Sequence, residues 1–327
     1  MTAVGRFTAL VLAALVSSLP AAAQNAAANF PNRPVRIVVP FPAGGPTDIN
    51  IRIIGQKLSE AWGQGVVIEN RPGANTGIGA SQVAKSPADG YTLLAAMDTT
   101  LVMNPASGAS MSYDPFRDFA PITITAKNTS LLTVRADDGP KSIQELIERG
   151  KASSRKLTYG AGITITRLAG LEFAKAAGIE VVLVPYKGSS EVVQGLLTGS
   201  VDFIVDGMAA SLPLIQAGKL RPLAKLNDRH LVSLPDLKPL SVAAGLPQIP
   251  EMSSWIGLVA PAGTPPEILA KIHEGVVKAY ADPAVAEKLD RAGINPVTTT
   301  PAEFDKFYRD EAAHWTKVFK DSGVKFD

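Results

Sequence analysis

The residues best suited to hold a small ligand lie in a loop between a predicted strand, 35–39, and a predicted helix that begins near residue 48. Ligands bind at the carboxyl ends of strands in open α/β sheets, and glycines there let main-chain N–H groups approach a ligand. A threonine or aspartate can cap the helix, which leaves other amides of its first turn for an anion. An ordinary tight turn is the alternative, and the loop alone does not decide. The candidate ligand-binding residues are Phe41, Pro42, Ala43, Gly44, Gly45, Thr47 and Asp48.

A second glycine-rich loop, residues 71–80, also joins a predicted strand to a predicted helix. Gly77 and Gly79 begin the pattern of a dinucleotide-binding loop, but Gln82 stands where that pattern needs its third glycine. The sequence also contains no phosphate-binding loop of the G-x-x-x-x-G-K-[ST] type. A nucleotide site is therefore not predicted, and the loop contributes two polar candidates, Asn75 and Thr76.

A third loop, residues 159–167, follows a predicted strand and ends in a basic residue. The guanidinium of Arg167 can bind a carboxylate through two hydrogen bonds, although it can equally be a solvated helix charge. Aspartates at strand ends are further candidates, although such residues often only cap the next turn. The candidates from this loop and from strand ends are Ala161, Gly162, Thr164, Thr166, Arg167, Met97, Asp98, Thr99 and Asp206.

The composition excludes several kinds of chemistry. The chain has no cysteine, so thiolate catalysis, disulfides and cysteine-bound metals are excluded. Its three histidines, at 230, 273 and 314, have no metal-ligand spacing, and no G-x-S-x-G motif occurs. A net charge of +2 gives no electrostatic case for nucleic acid. We predict no metal, no cofactor and no nucleic-acid partner.

The start of the chain has the pattern of a secretory signal peptide. Arg6 precedes thirteen uncharged residues, 7–19, and a small-residue exit follows at 21–23. Thirteen residues are too few to span a bilayer, which needs about 20. Residues 1–23 are therefore predicted to be removed on export, and the product is expected in the periplasm.

The remaining sequence alternates short β-branched runs with helical segments, which predicts an α/β fold. Uninterrupted apolar runs are typical of strands buried on both faces, as in parallel sheets. A strand near 255–261 comes after a long proline-rich stretch, which indicates a chain that leaves one domain and returns to it. We predict one domain from residues 30–127 and 250–327, and a second from residues 128–249.

Five segments taken together resemble the Bug-type extracytoplasmic receptors of tripartite tricarboxylate transporters. They are residues 39–48, 69–74, 87–93, 184–188 and 260–265. The resemblance implies a two-lobed fold of the type II periplasmic-binding-protein kind, each lobe a mainly parallel sheet flanked by helices. It also implies a small organic carboxylate held between loops 41–48 and 160–167, and delivery to a membrane permease. We expect a monomer that is not an enzyme.

The chain departs from the family pattern at two places. The loop 160–167 is shorter, with Ile163 where glycine is usual and Arg167 where histidine is usual, and the third strand ends at Met97, Asp98 and Thr99 instead of small residues. Our hypothesis is that Arg167 binds a second carboxylate and that Asp98 pairs with a ligand amine or with Arg167. An enzyme acting on a small carboxylate, with Asp98 as its base, is the alternative, and an adhesion or scaffolding role is a third class.

Overall fold

The computed structural model describes residues 29–249, 252–292 and 294–322, so the predicted signal peptide lies outside the described residues. Within those ranges the strands are β1 (Val35–Val39), β2 (Val66–Asn70), β3 (Thr92–Met97), β4 (Phe119–Asn128), β5 (Ser130–Arg135), β6 (Leu157–Ala161), β7 (Val181–Pro185), β8 (Phe203–Gly207), β9 (Leu220–Lys225), β10 (Ser254–Pro261) and β11 (Ile294–Pro296). The α-helices are α1 (Pro46–Trp62), α2 (Gly77–Ala84), α3 (Asn104–Ala106), α4 (Ile143–Ala152), α5 (Thr164–Ala177), α6 (Ser189–Leu197), α7 (Met208–Gln216), α8 (Leu240–Ala244), α9 (Pro266–Tyr280), α10 (Pro283–Arg291) and α11 (Pro301–Ser322). A π-helical turn, Thr99–Met103, precedes α3.

The strands form two sheets, one in each lobe. The strand order is β11-β4-β10-β3-β1-β2 in lobe 1 and β7-β6-β8-β5-β9 in lobe 2. The α/β two-lobed prediction is confirmed, but both sheets are mixed instead of mainly parallel. Strands β5 and β10 enter their lobes from the other lobe, at the edge where the parallel strands end, and they therefore run in the opposite direction.

Two crossovers join the lobes. The chain passes from β4 to β5 at Thr129 and returns between β9 and β10. The side-chain amide of Asn227 donates to Ser253 Oγ at 2.8 Å and to Thr129 Oγ1 at 3.3 Å. One buried residue therefore links both connections between the lobes.

The centre of lobe 1 is a rigid support for the loops at the strand ends. Every residue of β3 and β10 is buried. Helix α11 packs on one face of this sheet, where Trp255 meets the ring of Phe304 edge-on at 5.4 Å. Loops held by such a core keep a fixed geometry. Among the described residues, no helix is both long and apolar enough to cross a membrane.

Candidate functional site

A cavity of about 380 Å³ lies between the two lobes. It opens at the carboxyl ends of four parallel strands, β1 and β2 from lobe 1 and β6 and β7 from lobe 2, which is where α/β sheets bind ligands. The lining residues are Pro40, Phe41, Pro72, Gly73, Ala74, Asn75, Thr76, Gly162, Arg167, Tyr186 and Lys187. Both lobes therefore contribute to one site.

The loop between β1 and α1 is fixed by the buried carboxylate of Asp48. One oxygen accepts the main-chain N–H of Gly44 at 2.9 Å, and the other accepts the side-chain amide of Asn70 at 2.9 Å. The Nε atom of Arg52 lies 3.0 Å from both oxygens. Although burial opposes ionisation, the hydrogen bonds from Arg52, Gly44 and Asn70 lower the pKa of Asp48. Asp48 is therefore an ionised structural group, and each of its two oxygens already accepts hydrogen bonds from the protein.

The prediction that Thr47 or Asp48 caps α1 is wrong, and the main-chain amide of Gly44 is already bonded to Asp48. Gly45 is the N-cap residue, and no side chain of the described residues caps the helix. The hydroxyl of Thr47 instead contacts Met97 Sδ at 2.9 Å. Asp48 occupies the amide of Gly44, whereas the amides of Gly45, Thr47 and Asp48, at the start of α1, have no acceptor among the described residues.

The lobes touch directly beside the cavity. Ser190 Oγ, at the start of α6, lies 3.4 Å from the carbonyl oxygen of Ala43. A Cβ atom added to Gly188 would lie 3.1 Å from the ring of Pro42. One added to Gly207 would lie 2.8 Å from Pro46 Cγ, closer than real Cβ atoms approach. The absence of side chains at these two glycines therefore allows the lobes to meet.

The loop between β2 and α2 forms one wall of the cavity in an unusual conformation. Ala74, Asn75 and Thr76 all have positive φ, at 46°, 45° and 77°, and a β-branched residue such as threonine rarely adopts this region. Asn75 donates to Asn104 Oδ1 at 2.6 Å, and Asn104 donates back to the carbonyl oxygen of Asn75 at 2.7 Å. Strain of this kind persists where surrounding bonds fix it, and it is common at ligand sites.

Arg167 is the half-buried cation of the cavity. Its Nη2 atom donates weakly to the carbonyl oxygens of Gly162 and Tyr186, at 3.4 and 3.3 Å. Its Nε atom is buried without a partner among the described residues. Burial lowers the pKa of Arg167, against an opposing effect of Tyr159. A half-buried guanidinium with few acceptors has lost part of its hydration, and hydrogen bonds to a bound anion stabilise it in place of that water.

Two aspartates at strand ends are buried outside the cavity lining. Burial raises the pKa of Asp98 to about 7, against the hydrogen bonds from Thr99, and the charge of Glu311 adds to this effect. Burial raises the pKa of Asp206 to about 7 as well, against a hydrogen bond from Ser189. Asp98 forms no ion pair with Arg167 in the described part of the chain, so the hypothesised pairing of the two is wrong.

The structure thus separates the predicted residues into two groups. Those that line the cavity are Phe41, Asn75, Thr76, Gly162 and Arg167. Those that lie beside it, at the lobe contact or buried beneath it, are Pro42, Ala43, Gly44, Gly45, Thr47, Asp48, Met97, Asp98, Thr99, Ala161, Thr164, Thr166 and Asp206.

Six lining residues were not among the predicted site residues. They are Pro40, Pro72, Gly73, Ala74, Tyr186 and Lys187. All six lie in segments that carry the family resemblance, because Pro40 belongs to residues 39–48 and the other five to residues 69–74 and 184–188. Each segment follows a parallel strand that ends at the same edge as β1 or β6, so topology explains why they meet.

Two lobes joined by two crossovers, with one cavity between strand ends, define a solute-binding protein of the periplasmic-receptor type. The comparisons with known proteins agree. The model of the family described as "Tripartite tricarboxylate transporter family receptor" matches residues 50–324, and the chain belongs to this family. It is therefore a solute receptor and not an enzyme, and the family resemblance predicted from the sequence is confirmed.

Individual relatives match along nearly their whole length. A protein encoded in the tcbD-tcbE intergenic region of Pseudomonas sp. strain P51 is 37% identical over 88% of this chain and 86% of its own. Protein BugT of Bordetella pertussis is 31% identical over 96% and 97%. A structure of R. palustris Rpa4515 with adipate is 35% identical with a TM-score of 0.86, and covers 91% of this chain and 99% of that one.

Proposed function

We propose that this receptor binds a small organic carboxylate in the cavity between its lobes and presents it to the membrane permease of a tripartite transporter. The proposal rests on the positive charge of the residues that line the cavity. The charged side chains that line it, Arg167 and Lys187, are both cations, and no carboxylate lines it within the described residues. The adipate bound by the R. palustris relative supports the same ligand class.

Main-chain amides add to the attraction for an anion. Ala74, Asn75 and Thr76 line the cavity, and their N–H groups have no acceptor among the described residues. Micromolar affinity requires about −8 kcal/mol. A few charge-assisted hydrogen bonds in a site that excludes water supply free energies of this order.

The receptor works by a shift between open and closed populations. A ligand that touches both lobes stabilises the closed form by the contacts it makes only there. The loops at Phe41 and Gly162 come from different lobes and line the same cavity, so a bound carboxylate contacts both. We propose that the closed form docks on the permease, and that the receptor acts in the periplasm as a monomer once residues 1–23 are removed.

Isothermal titration calorimetry with a panel of small acids tests the ligand class. We expect at least one straight-chain carboxylate to bind in the micromolar range, and primary alcohols of the same length not to bind. Native mass spectrometry of protein purified from its host identifies a co-purified acid independently. Binding of alcohols as tight as that of the acids would contradict an anion site.

A further inference from the structure

We infer that Arg167 is the specificity-determining residue of the cavity. It binds a second carboxylate of the ligand, and the cavity excludes ligands that carry an ammonium group. This inference rests on the proposed function and narrows its ligand class to diacids without an amine.

The first support is the incomplete hydrogen bonding of Arg167. Within the described residues only Nη2 has acceptors, and both are carbonyl oxygens at the long end of the hydrogen-bond range. Nη1 has no acceptor among the described residues, and Nε is buried without one. The two carbonyls come from the loops after β6 and β7, so they hold the guanidinium in place beside the cavity. A carboxylate at Nη1 supplies the acceptor that the protein does not.

The second support is that the described part of the chain offers no counter-charge for an ammonium group in the cavity. The aspartate nearest along the first loop, Asp48, is bonded to Arg52, Asn70 and Gly44. Asp98 and Asp206 are buried and do not line the cavity. An amino acid bound here would therefore bury an unpaired cation near Arg167 and Lys187, which is costly.

The middle of the cavity suits a hydrocarbon chain. Four rings line it, those of Pro40, Phe41, Pro72 and Tyr186. The hydroxyl end of Tyr186 packs against Gly195 in α6, so the ring presents carbon to the cavity. The ligand that fits this arrangement has a carboxylate for the amides of residues 74–76, an apolar body and a carboxylate for Arg167.

Calorimetry with matched acids tests the inference. The probes are adipate, hexanoate, which lacks the second carboxylate, and 2-aminoadipate, which adds an ammonium group; succinate and butanoate form a shorter pair. We expect wild-type protein to bind a diacid at least about tenfold more tightly than its monoacid or amino counterpart. In Arg167→Gln, diacid affinity falls about ten- to a hundredfold, and monoacid affinity changes less than about threefold.

Arg149→Gln is the matched control, because Arg149 is an exposed arginine of α4 in the same lobe, paired with Glu145 and absent from the cavity. It should leave every affinity unchanged. Should Arg167→Gln fail to fold, Arg167→Lys replaces it, and loss of the Nη1 donor that the planar guanidinium holds beside the cavity is then expected to weaken diacids alone.

Two results would overturn the inference while leaving the proposed function in place. One is an equal loss of monoacid and diacid affinity in the Arg167 variants. The other is wild-type binding of 2-aminoadipate as tight as that of adipate. If no acid of the series binds to wild-type protein, the proposed function itself is wrong.

Discussion

Buried charged residues have different roles around this cavity. Asp48 is fully bonded within its own lobe, and its pKa is lowered by those bonds. Arg167, beside the cavity, keeps donors that have no acceptor among the described residues. Asp98 has one oxygen without a partner among the described residues, and burial raises its pKa to about 7. The hydrogen bonds that Asp48 and Arg167 make within the protein therefore distinguish a residue that stabilises the fold from one that can bind a ligand.

Asp48→Ala should destabilise the protein substantially. The substitution removes the acceptor of the Gly44 amide and of Arg52 Nε and one of the two acceptors of the Asn70 amide, and we expect the free energy of unfolding to fall by about 2–3 kcal/mol. Urea denaturation at pH 7 measures it. Asp138→Ala is the control, because Asp138 is exposed and paired with Arg135, and it should lose less than about 1 kcal/mol. Equal losses in the two variants would refute the anchoring role of Asp48.

Asp98→Asn should stabilise the protein in a pH-dependent way. Burial raises the pKa of Asp98 to about 7 from its ordinary 3.8, so the folded protein keeps a proton that the unfolded chain has released. This group's contribution to the free energy of unfolding is full below about pH 4, and falls as the pH rises to about 7. The advantage of the asparagine variant should therefore grow over that range and stay constant above it.

Urea titrations at pH 5, 6, 7 and 8 check this prediction. Asp137→Asn serves as the control, because Asp137 is 82% exposed and its substitution should shift stability little at any of these pH values. An advantage of Asp98→Asn that is the same at pH 5 and pH 8 would show that Asp98 is ionised in the folded protein.

The sequence indicated which types of residue line the cavity better than it indicated which hydrogen bonds those residues make. Arg167, Asn75 and Thr76 were predicted from residue type and loop position, and they line the cavity. The same reasoning also selected Asp98, which does not line the cavity. An aspartate that follows a strand gives the same sequence pattern whether its side chain faces a ligand or helix α11. Which groups are already bonded depends on contacts between distant segments, and a single sequence does not give these.

At the scale of elements, the loops that follow the parallel strands make both the site and the lobe contact. Pro42, in the loop before α1, meets Gly188 of lobe 2, and Pro46, the first residue of α1, meets Gly207. The turns were predictable from their glycines and prolines. Strand β4 was not predicted, because Pro121 and the polar threonines at 123 and 125 interrupt its apolar pattern, although the sheet buries it.

Gly207→Val should weaken ligand binding by holding the lobes apart. A Cβ atom there would lie 2.8 Å from Pro46 Cγ, and the backbone of Gly207 is extended, at φ −60° and ψ 136°, so no backbone strain complicates the variant. We expect adipate affinity to fall about tenfold or more, the equivalent of one lost charge-assisted contact.

Gly65→Val is the control for this effect, because the nearest atom to a Cβ at Gly65 is 3.9 Å away, in Pro34 of the same lobe. Calorimetry and small-angle X-ray scattering with adipate give affinity and radius of gyration. Unchanged affinity and an unchanged radius in Gly207→Val would show that this contact does not limit closure.

At the scale of the whole molecule, the two lobes bring loops that are far apart in the sequence to one cavity. The α/β class and the family were predictable from the alternating pattern and from five segments. The mixed sheets were not, because strand direction follows from where β5 and β10 enter their lobes. Both lobes contribute residues to the lining of the cavity. The contacts that a ligand makes with the two lobes are therefore also the contacts that stabilise the closed form.

A crystal structure of the receptor with a bound diacid such as adipate tests the binding mode most directly. We expect one carboxylate within hydrogen-bond distance of Arg167, the other at the amides of residues 74–76, and the hydrocarbon chain against Phe41 and Tyr186. A diacid bound outside the cavity, or inside it with both carboxylates away from Arg167, would show that Arg167 does not recognise the ligand.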